Sequence, residues 1–251
     1  MTSFIDYSSN KIINTIINDF IPYRGLITNA KFTKDEILAD IKNIGYIKIE
    51  AINADLSSTN TGLSTNVDFS INTGLNTNAG LNTYADDNKK ITVFLILNIN
   101  GKYSHSPDLR KLLDSVISEY QNRLYELIII VDETFFTKKT LVDIIKEYQN
   151  GKKDIKSSEL NKIIYNAYPY HNFVINIPAS DLVPIHRIMT LEEIEKNITS
   201  EYIKISDLHV IYSNDPPIIW LGGREGQVVE IQRKSMTSGI AINYRRIEKR
   251  I

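Results

Sequence analysis

Ile91-Thr92-Val93-Phe94-Leu95-Ile96-Leu97 is apolar at every position but one. A strand with one wet face would alternate apolar and polar residues, so an unbroken run of this length predicts a strand buried on both faces. A second such run spans Tyr125 to Val131 and ends Leu127-Ile128-Ile129-Ile130-Val131. Between the two, Ser106 and Pro107 supply a cap and a first helical residue, and Leu109, Leu112, Leu113, Val116, Ile117 and Tyr120 recur at helical spacing. After the second run, Thr137 opens a helix carrying Leu141, Ile144, Ile145 and Tyr148 and closed by Gly151. Strand, helix, strand, helix predicts a sheet covered by helices.

Working upstream, Ile12, Ile13, Ile16, Ile17 and Phe20 share one face of a first helix, which Ser9 caps and Pro22 ends. Tyr23-Arg24-Gly25 turns the chain into a second helix, announced by the capping box of Thr33 and Glu36 and striped by Ile37, Ile41 and Ile44. From Ile52 to Asn88 the composition shifts to Asn, Thr, Ser and Gly. The segment divides into hexads, each with an apolar third residue: Leu63, Phe69, Leu75 and Leu81. A six-residue period can build a β-helix coil, but so few turns leave little apolar surface to offset chain entropy, which favours a repeat expansion in a surface loop.

Downstream, Lys152 to Ser158 reads as a polar connection and Asn172 to Ile177 as a further strand, so a first domain is expected over 1–176 and a second over 177–251. In the second, Thr190 and Glu193 form another capping box, with the helix running through Ile194 and Ile198 towards Tyr202. Asp215-Pro216-Pro217 predicts an extended turn. Gln227 to Arg233 and Ile240 to Arg245 read as strands joined through Ser238-Gly239. The fold class expected is α+β / α/β: a helix-covered N-terminal sheet and a small C-terminal α+β module.

Composition narrows the chemistry. A chain of 251 residues with 42% hydrophobic residues can bury a core without a metal or disulfide staple, and its net charge of -1 excludes a strongly basic nucleic-acid coat. The absence of cysteine removes disulfide frameworks, thiolate metal sites and thiol catalysis. The four histidines are scattered, with no i, i+4 pair that would point to a metal. No apolar run reaches the ~18 residues that span a bilayer, and no leader precedes the first helix, so an intracellular protein without a membrane partner is expected.

The last third carries a resemblance. Leu182-Val183-Pro184-Ile185-His186, the Thr-x-Glu-Glu helix start, Asp215-Pro216, Leu221-Gly222, Arg224-Glu225-Gly226-Gln227-Val228-Val229, Ile231, Arg233-Lys234-Ser235, Thr237-Ser238-Gly239 and Tyr244-Arg245 resemble the fifth subunit shared by eukaryotic RNA polymerases and its archaeal counterpart. Tyr23-Arg24-Gly25-Leu26-Ile27-Thr28 resembles the Arg-Gly segment that follows the first helix of that subunit's eukaryotic jaw domain, which archaeal members lack. The jaw is related in fold to restriction endonucleases. Two departures stand out: Thr137-Lys138-Lys139-Thr140 occupies the place of the family's Thr-Pro-Ser loop near downstream DNA, and the hexads have no counterpart. The asparagine and isoleucine bias leans towards a large-DNA-virus version.

The resemblance implies a non-catalytic polymerase subunit with no cofactor and no metal, working in the nucleus or, if viral, in the viral factory and virion. Its C-terminal module would dock on the largest subunit through Pro184, His186, Asp215, Pro216, Leu221, Gly222, Arg224, Gly226, Val228, Arg233, Ser235, Gly239, Tyr244 and Arg245. The jaw would lie beside downstream duplex DNA, with Thr137, Lys138 and Lys139 nearest to it. On their residues alone, Gly222, Gly226 and Pro216 read first as residues that shape turns, and the two lysines equally well form a solvated surface.

Two other classes compete. A nuclease would need Pro107-Asp108 and Asp154-Ile155-Lys156 to converge on a metal, yet Asp108 falls in the first turn of a helix, where it stabilises the helix dipole. Gly222-Gly223-Arg224-Glu225-Gly226 lacks the Lys-Ser/Thr pair of a phosphate loop and precedes a strand, not a helix. A free-standing transcription adaptor remains open at this level.

Overall fold

The computed structural model describes residues 11–53, 90–97, 106–120, 123–136, 139–150, 163–201, 203–235, 237 and 239–249. The hexads, Thr137, Lys138, Gly151, Asp154 to Lys156 and Ser238 lie outside them, as do the Ser9 cap and Tyr202.

In chain order, the N-terminal elements are α1 (11–23), β1 (Leu26–Ile27), α2 (Lys34–Asn43), β2 (Tyr46–Asn53), β3 (Ile91–Leu97), α3 (Ser106–Tyr120), β4 (Leu124–Val131), α4 (Glu133–Phe136), α5 (Lys139–Gln149) and β5 (Ile164–Pro169). The sheet order is β1-β2-β3-β4-β5, with β3, β4 and β5 parallel and the first two pairings antiparallel. Alternation of side chains across β3 explains why its whole run is apolar. Val93, Leu95 and Leu97 join a core beneath α3 and α5, while Phe94 and Ile96 join one beneath α1 and α2. All seven residues of β3 are buried.

The C-terminal elements are β6 (Ile185–Ile188), α6 (Leu191–Asn197), β7 (His209–Tyr212), α7 (Pro216–Leu221), β8 (Val228–Ser235) and β9 (Gly239–Glu248), with sheet order β6-β8-β9-β7. One face packs Val228 and Tyr244 against Met189, Ile194 and Ile198 of the α6 region. The other packs Val229, Ile231 and Ile247 against Ile218 and Leu221 of α7. Helices and mixed sheets together give the expected α+β class.

Both capping boxes form, with Thr33 Oγ1 accepting from the Glu36 N–H at 3.3 Å and Thr190 Oγ1 from the Glu193 N–H at 3.2 Å. Several expectations fail for identifiable reasons. Pro22 does not end α1, which passes through a π-helical turn at Ile16–Phe20 and continues to Tyr23; that wider turn is a local answer to a residue without an N–H and with a bulky ring. Asp215-Pro216-Pro217 is not a plain turn. Asp215 is extended, as a residue before proline should be, but Pro216 then starts α7, because the first helical position needs no N–H. The strand expected at Asn172 to Ile177 is instead a 3-10 turn, Tyr170–Phe173, and the edge strand precedes it as β5. The strand β2 lies in a stretch with no strand expectation, and it reaches Asn53, slightly into the expected insert.

Candidate interaction sites at the domain seam and on the terminal hairpin

Trp220 decides how the two sheets sit together. It belongs by sequence to α7 of the second module, yet its ring is fully buried in the core of the first. Phe20 meets it edge-on at 5.3 Å and Tyr23 at 5.9 Å, and its Nε1–H donates to the Asn172 carbonyl at 2.9 Å. Burying an indole removes enough apolar area to contribute roughly 4–6 kcal/mol, and the hydrogen bond satisfies its one polar atom.

Beside Trp220, the segment after α1 and the loop after α7 form one polar cluster. The Arg24 guanidinium donates to Glu126 Oε2 at 2.9 Å, and Asn166 Nδ2 donates to Oε1 at 2.7 Å. The pair is almost closed to solvent, at 9% and 4% side-chain exposure. Desolvation makes such a pair a weak source of net stability, but a costly one to break from one side, so its main effect is to fix the register of the parts that carry it. Gly222 completes the fit. With φ of 66° it caps α7 in the left-handed region, and a Cβ there would collide with the Arg24 guanidinium. Arg224 Nη2 donates to the Tyr125 hydroxyl at 2.7 Å, with its guanidinium 5.3 Å from that ring's centre. Arg24, Thr92, Tyr125, Glu126, Gly222 and Arg224 are among the residues lining a pocket of about 260 Å³ along this seam.

The far end of the second sheet is different. In β8, Val228 to Ile231 are buried, and burial then stops. The register pairs Lys234 with Ile240 and Gln232 with both Ile185 and Ile242, so these side chains share the face that α6 leaves bare. On the opposite face, beyond α7, lie Arg233 and Asn243, both exposed, and the half-buried His186 and Arg245. The His186 Nδ1–H donates to the Pro184 carbonyl at 2.6 Å, and burial lowers its pKa. Asp215, which lies close enough to His186 and Arg245 to feel their charge, has its pKa raised by burial.

The sequence-predicted interface residues therefore separate into three groups. Gly222 and Arg224 contact the N-terminal domain. Val228 is fully buried, Leu221 packs beneath the second sheet, Tyr244 packs beside α6, and Pro216 starts α7. Pro184, His186, Asp215, Arg233, Ser235, Gly239 and Arg245 remain at or near the bare end of the sheet, and Gly226 turns the loop before β8 with φ of 85°. Lys139, the described member of the lysine pair, is exposed at the start of α5. Asp108 lies in the first turn of α3, and among the described residues no cluster of His, Asp and Glu could hold a metal ion. No described helix is long and apolar enough to cross a membrane. Sequence reading missed Trp220, Glu126 and Asn166. A lone Glu inside the apolar run of β4 was the available signal.

The model of the RNA polymerase Rpb5 C-terminal domain matches residues 175–247. The chain is 33% identical over 237 residues to the DNA-directed RNA polymerase RPB5 homolog of African swine fever virus, covering 94% of this chain and 95% of that protein. It belongs to the RPB5 family. The DNA-directed RNA polymerase subunit Rpo5 of Methanocaldococcus jannaschii is 47% identical over 70 residues, which is 28% of this chain and 90% of the archaeal protein. The same share of the chain is 43% identical to Rpo5 of Thermococcus celer. Within the RPB5 family this chain thus has the long form, in which the domain carrying Arg24 and Glu126 is matched in the viral relative and not in these short archaeal ones.

Proposed function

We propose that this chain is a non-catalytic subunit of a multisubunit DNA-directed RNA polymerase, docking on the largest subunit through its C-terminal module and holding its N-terminal domain as a jaw beside downstream duplex DNA. Full-length similarity to a viral polymerase subunit carries the polymerase assignment. The bare end of the β8-β9 hairpin supports docking there, because a small module that leaves both faces of a hairpin uncovered needs another surface to complete it. Pro184, His186, Asp215, Arg233, Ser235, Gly239 and Arg245 make the contact, while Leu221, Gly222, Arg224, Gly226, Val228, Pro216 and Tyr244 hold the module in shape. Domain 1–176 and module 177–251 act as jaw and anchor. The other polymerase subunits are its partners, and its place of work is intracellular: the viral factory and virion for a viral polymerase, the nucleus for a cellular one.

Nucleotide addition belongs to the large subunits, and this chain supplies geometry. Thr137, Lys138 and Lys139 touch phosphate oxygens of the downstream duplex, a contact without sequence preference and sensitive to salt. Tagged chain expressed with its own polymerase is expected to recover the two largest subunits stoichiometrically; recovery as a lone monomer from transcribing cells refutes the assignment. A photo-crosslinker at position 139 is expected to label downstream DNA in an elongation complex, and labelling only of protein would remove the jaw-DNA contact.

A further inference from the structure

Both faces of the β8-β9 hairpin are exposed at its far end, but one presents isoleucines beside Lys234 and Gln232 and the other arginines and histidines. On one, Ile185 is 69% exposed, Ile240 61% and Ile242 50%, and the register sets all three on the same side. On the other, Arg233, Arg245, His186 and His209 share a side with Asp215 as the acidic neighbour. Arg233 makes no ion pair or hydrogen bond among the described residues, and the contact recorded for Arg245 is a long one, 3.4 Å to the Val210 carbonyl. Where the chain pairs arginines with its own carboxylates the distances are short. Arg187 is held by Glu193 at 2.7 Å and by Glu230 at 3.0 Å. The forked donors of Arg233 are left unpaired among the described residues and those of Arg245 make only that long contact, so the side presents guanidinium groups with little acidic partnering from within.

We propose that the hairpin is a two-sided plug in which the Arg233 and Arg245 side receives carboxylates and the Ile185, Ile240 and Ile242 side receives aliphatic groups, both from the same partner polymerase subunit. This rests on the docking reading and adds to it the chemistry of the occupant: an acidic segment on one side and an apolar one on the other. Bidentate guanidinium-carboxylate pairs fix orientation, while apolar burial supplies affinity that salt does not screen. A plug gripped from two sides resists both sliding and tilting, as an anchor for a jaw must.

The test measures recovery of the largest polymerase subunit on tagged full-length chain co-expressed with its polymerase, washed from about 0.1 M to about 0.5 M salt. Wild-type recovery is expected to fall with salt. The double variant Arg233→Glu, Arg245→Glu is expected to lose about tenfold or more at low salt, the equivalent of ~1.4 kcal/mol, and to lose the salt dependence with it. Ile240→Thr with Ile242→Thr is expected to lose as much while keeping the wild-type salt slope. Arg233→Ala alone, a milder change at an exposed position, repeats the arginine arm if the double variant fails to fold, as judged by circular dichroism. If wild type recovers no polymerase subunit, the docking reading itself falls. If wild type recovers the subunit and the arginine variants recover it equally at every salt concentration, docking stands and the two-sided plug is wrong.

Discussion

The strands β3 and β8 are of similar length but differ in what covers them. β3 is covered along all of its residues by helices of its own chain, whereas β8 is buried over Val228 to Ile231 and then runs out uncovered to Ser235 beside the exposed start of β9. The first is closed by internal packing, and the second is closed only on the side nearest α6 and α7. The difference teaches that the two ends of this molecule answer to different physical demands: volume and shape within the core, and surface chemistry on the hairpin. The seam lies between these regimes, since Trp220 is contributed by the small module and buried in the large one.

The largest effect that tests this contrast is expected at Trp220. Trp220→Ala empties a site lined by Phe20, Tyr23 and Phe173, and should cost about 3–5 kcal/mol in chemical denaturation. If the loss is confined to the second module, with the first unfolding as before, the seam is a loose contact and not part of the core. Glu126→Gln comes next. It leaves the shape nearly unchanged but turns a carboxylate that accepts from Arg24 and Asn166 into a neutral amide beside a buried guanidinium, at a cost of about 1.5–3 kcal/mol. A variant as stable as wild type would mean that Arg24 finds water or another acceptor, and that the register of the seam is set by Trp220 alone. Thr190→Ala removes one side of a capping box at an exposed helix start and should cost about 1 kcal/mol by thermal or chemical denaturation, with larger losses indicating that α6 holds more of the module than its cap.

How much of this is legible in the sequence follows the same division. The buried strands of the first sheet are readable because an apolar run that does not alternate has only one favourable place to go, and both capping boxes are readable because they are local. The strand β2 escapes notice although Tyr46-Ile47-Lys48-Ile49-Glu50 carries the alternation of a half-buried strand, because it follows a helix end directly and the low-complexity segment draws the boundary too early. α7 is hidden by its doubled proline: Asp215-Pro216 repeats the cap-and-proline start of Ser106-Pro107 and Gly222 closes the run, but Pro217 and the shortness of the element make the stretch read as an extended turn. The ordered motif at the end of the chain discloses its family but not the division of labour within it. Gly222 reads as an interface residue and faces Arg24, some two hundred positions away in sequence, because the pairing is a property of the fold and not of the spacing.

The smallest expected effect on stability is the most informative about the hairpin. Ile240 and Ile242 retain half or more of their accessible surface in the isolated chain, so they bury little on folding, and exchanging both for threonine keeps the β-branched shape that the strand favours. Hydrophobic contributions scale with area removed from water, and these two residues have removed little; the double variant should therefore unfold within about 0.5 kcal/mol of wild type. A core pair treated in the same way, such as Ile128 and Ile130 of β4, has no exposed surface and should lose several kcal/mol. Should the hairpin pair lose as much as the core pair in equilibrium denaturation, the isoleucines would be packing against this chain itself, and the contrast between a finished core and an unfinished hairpin would be gone.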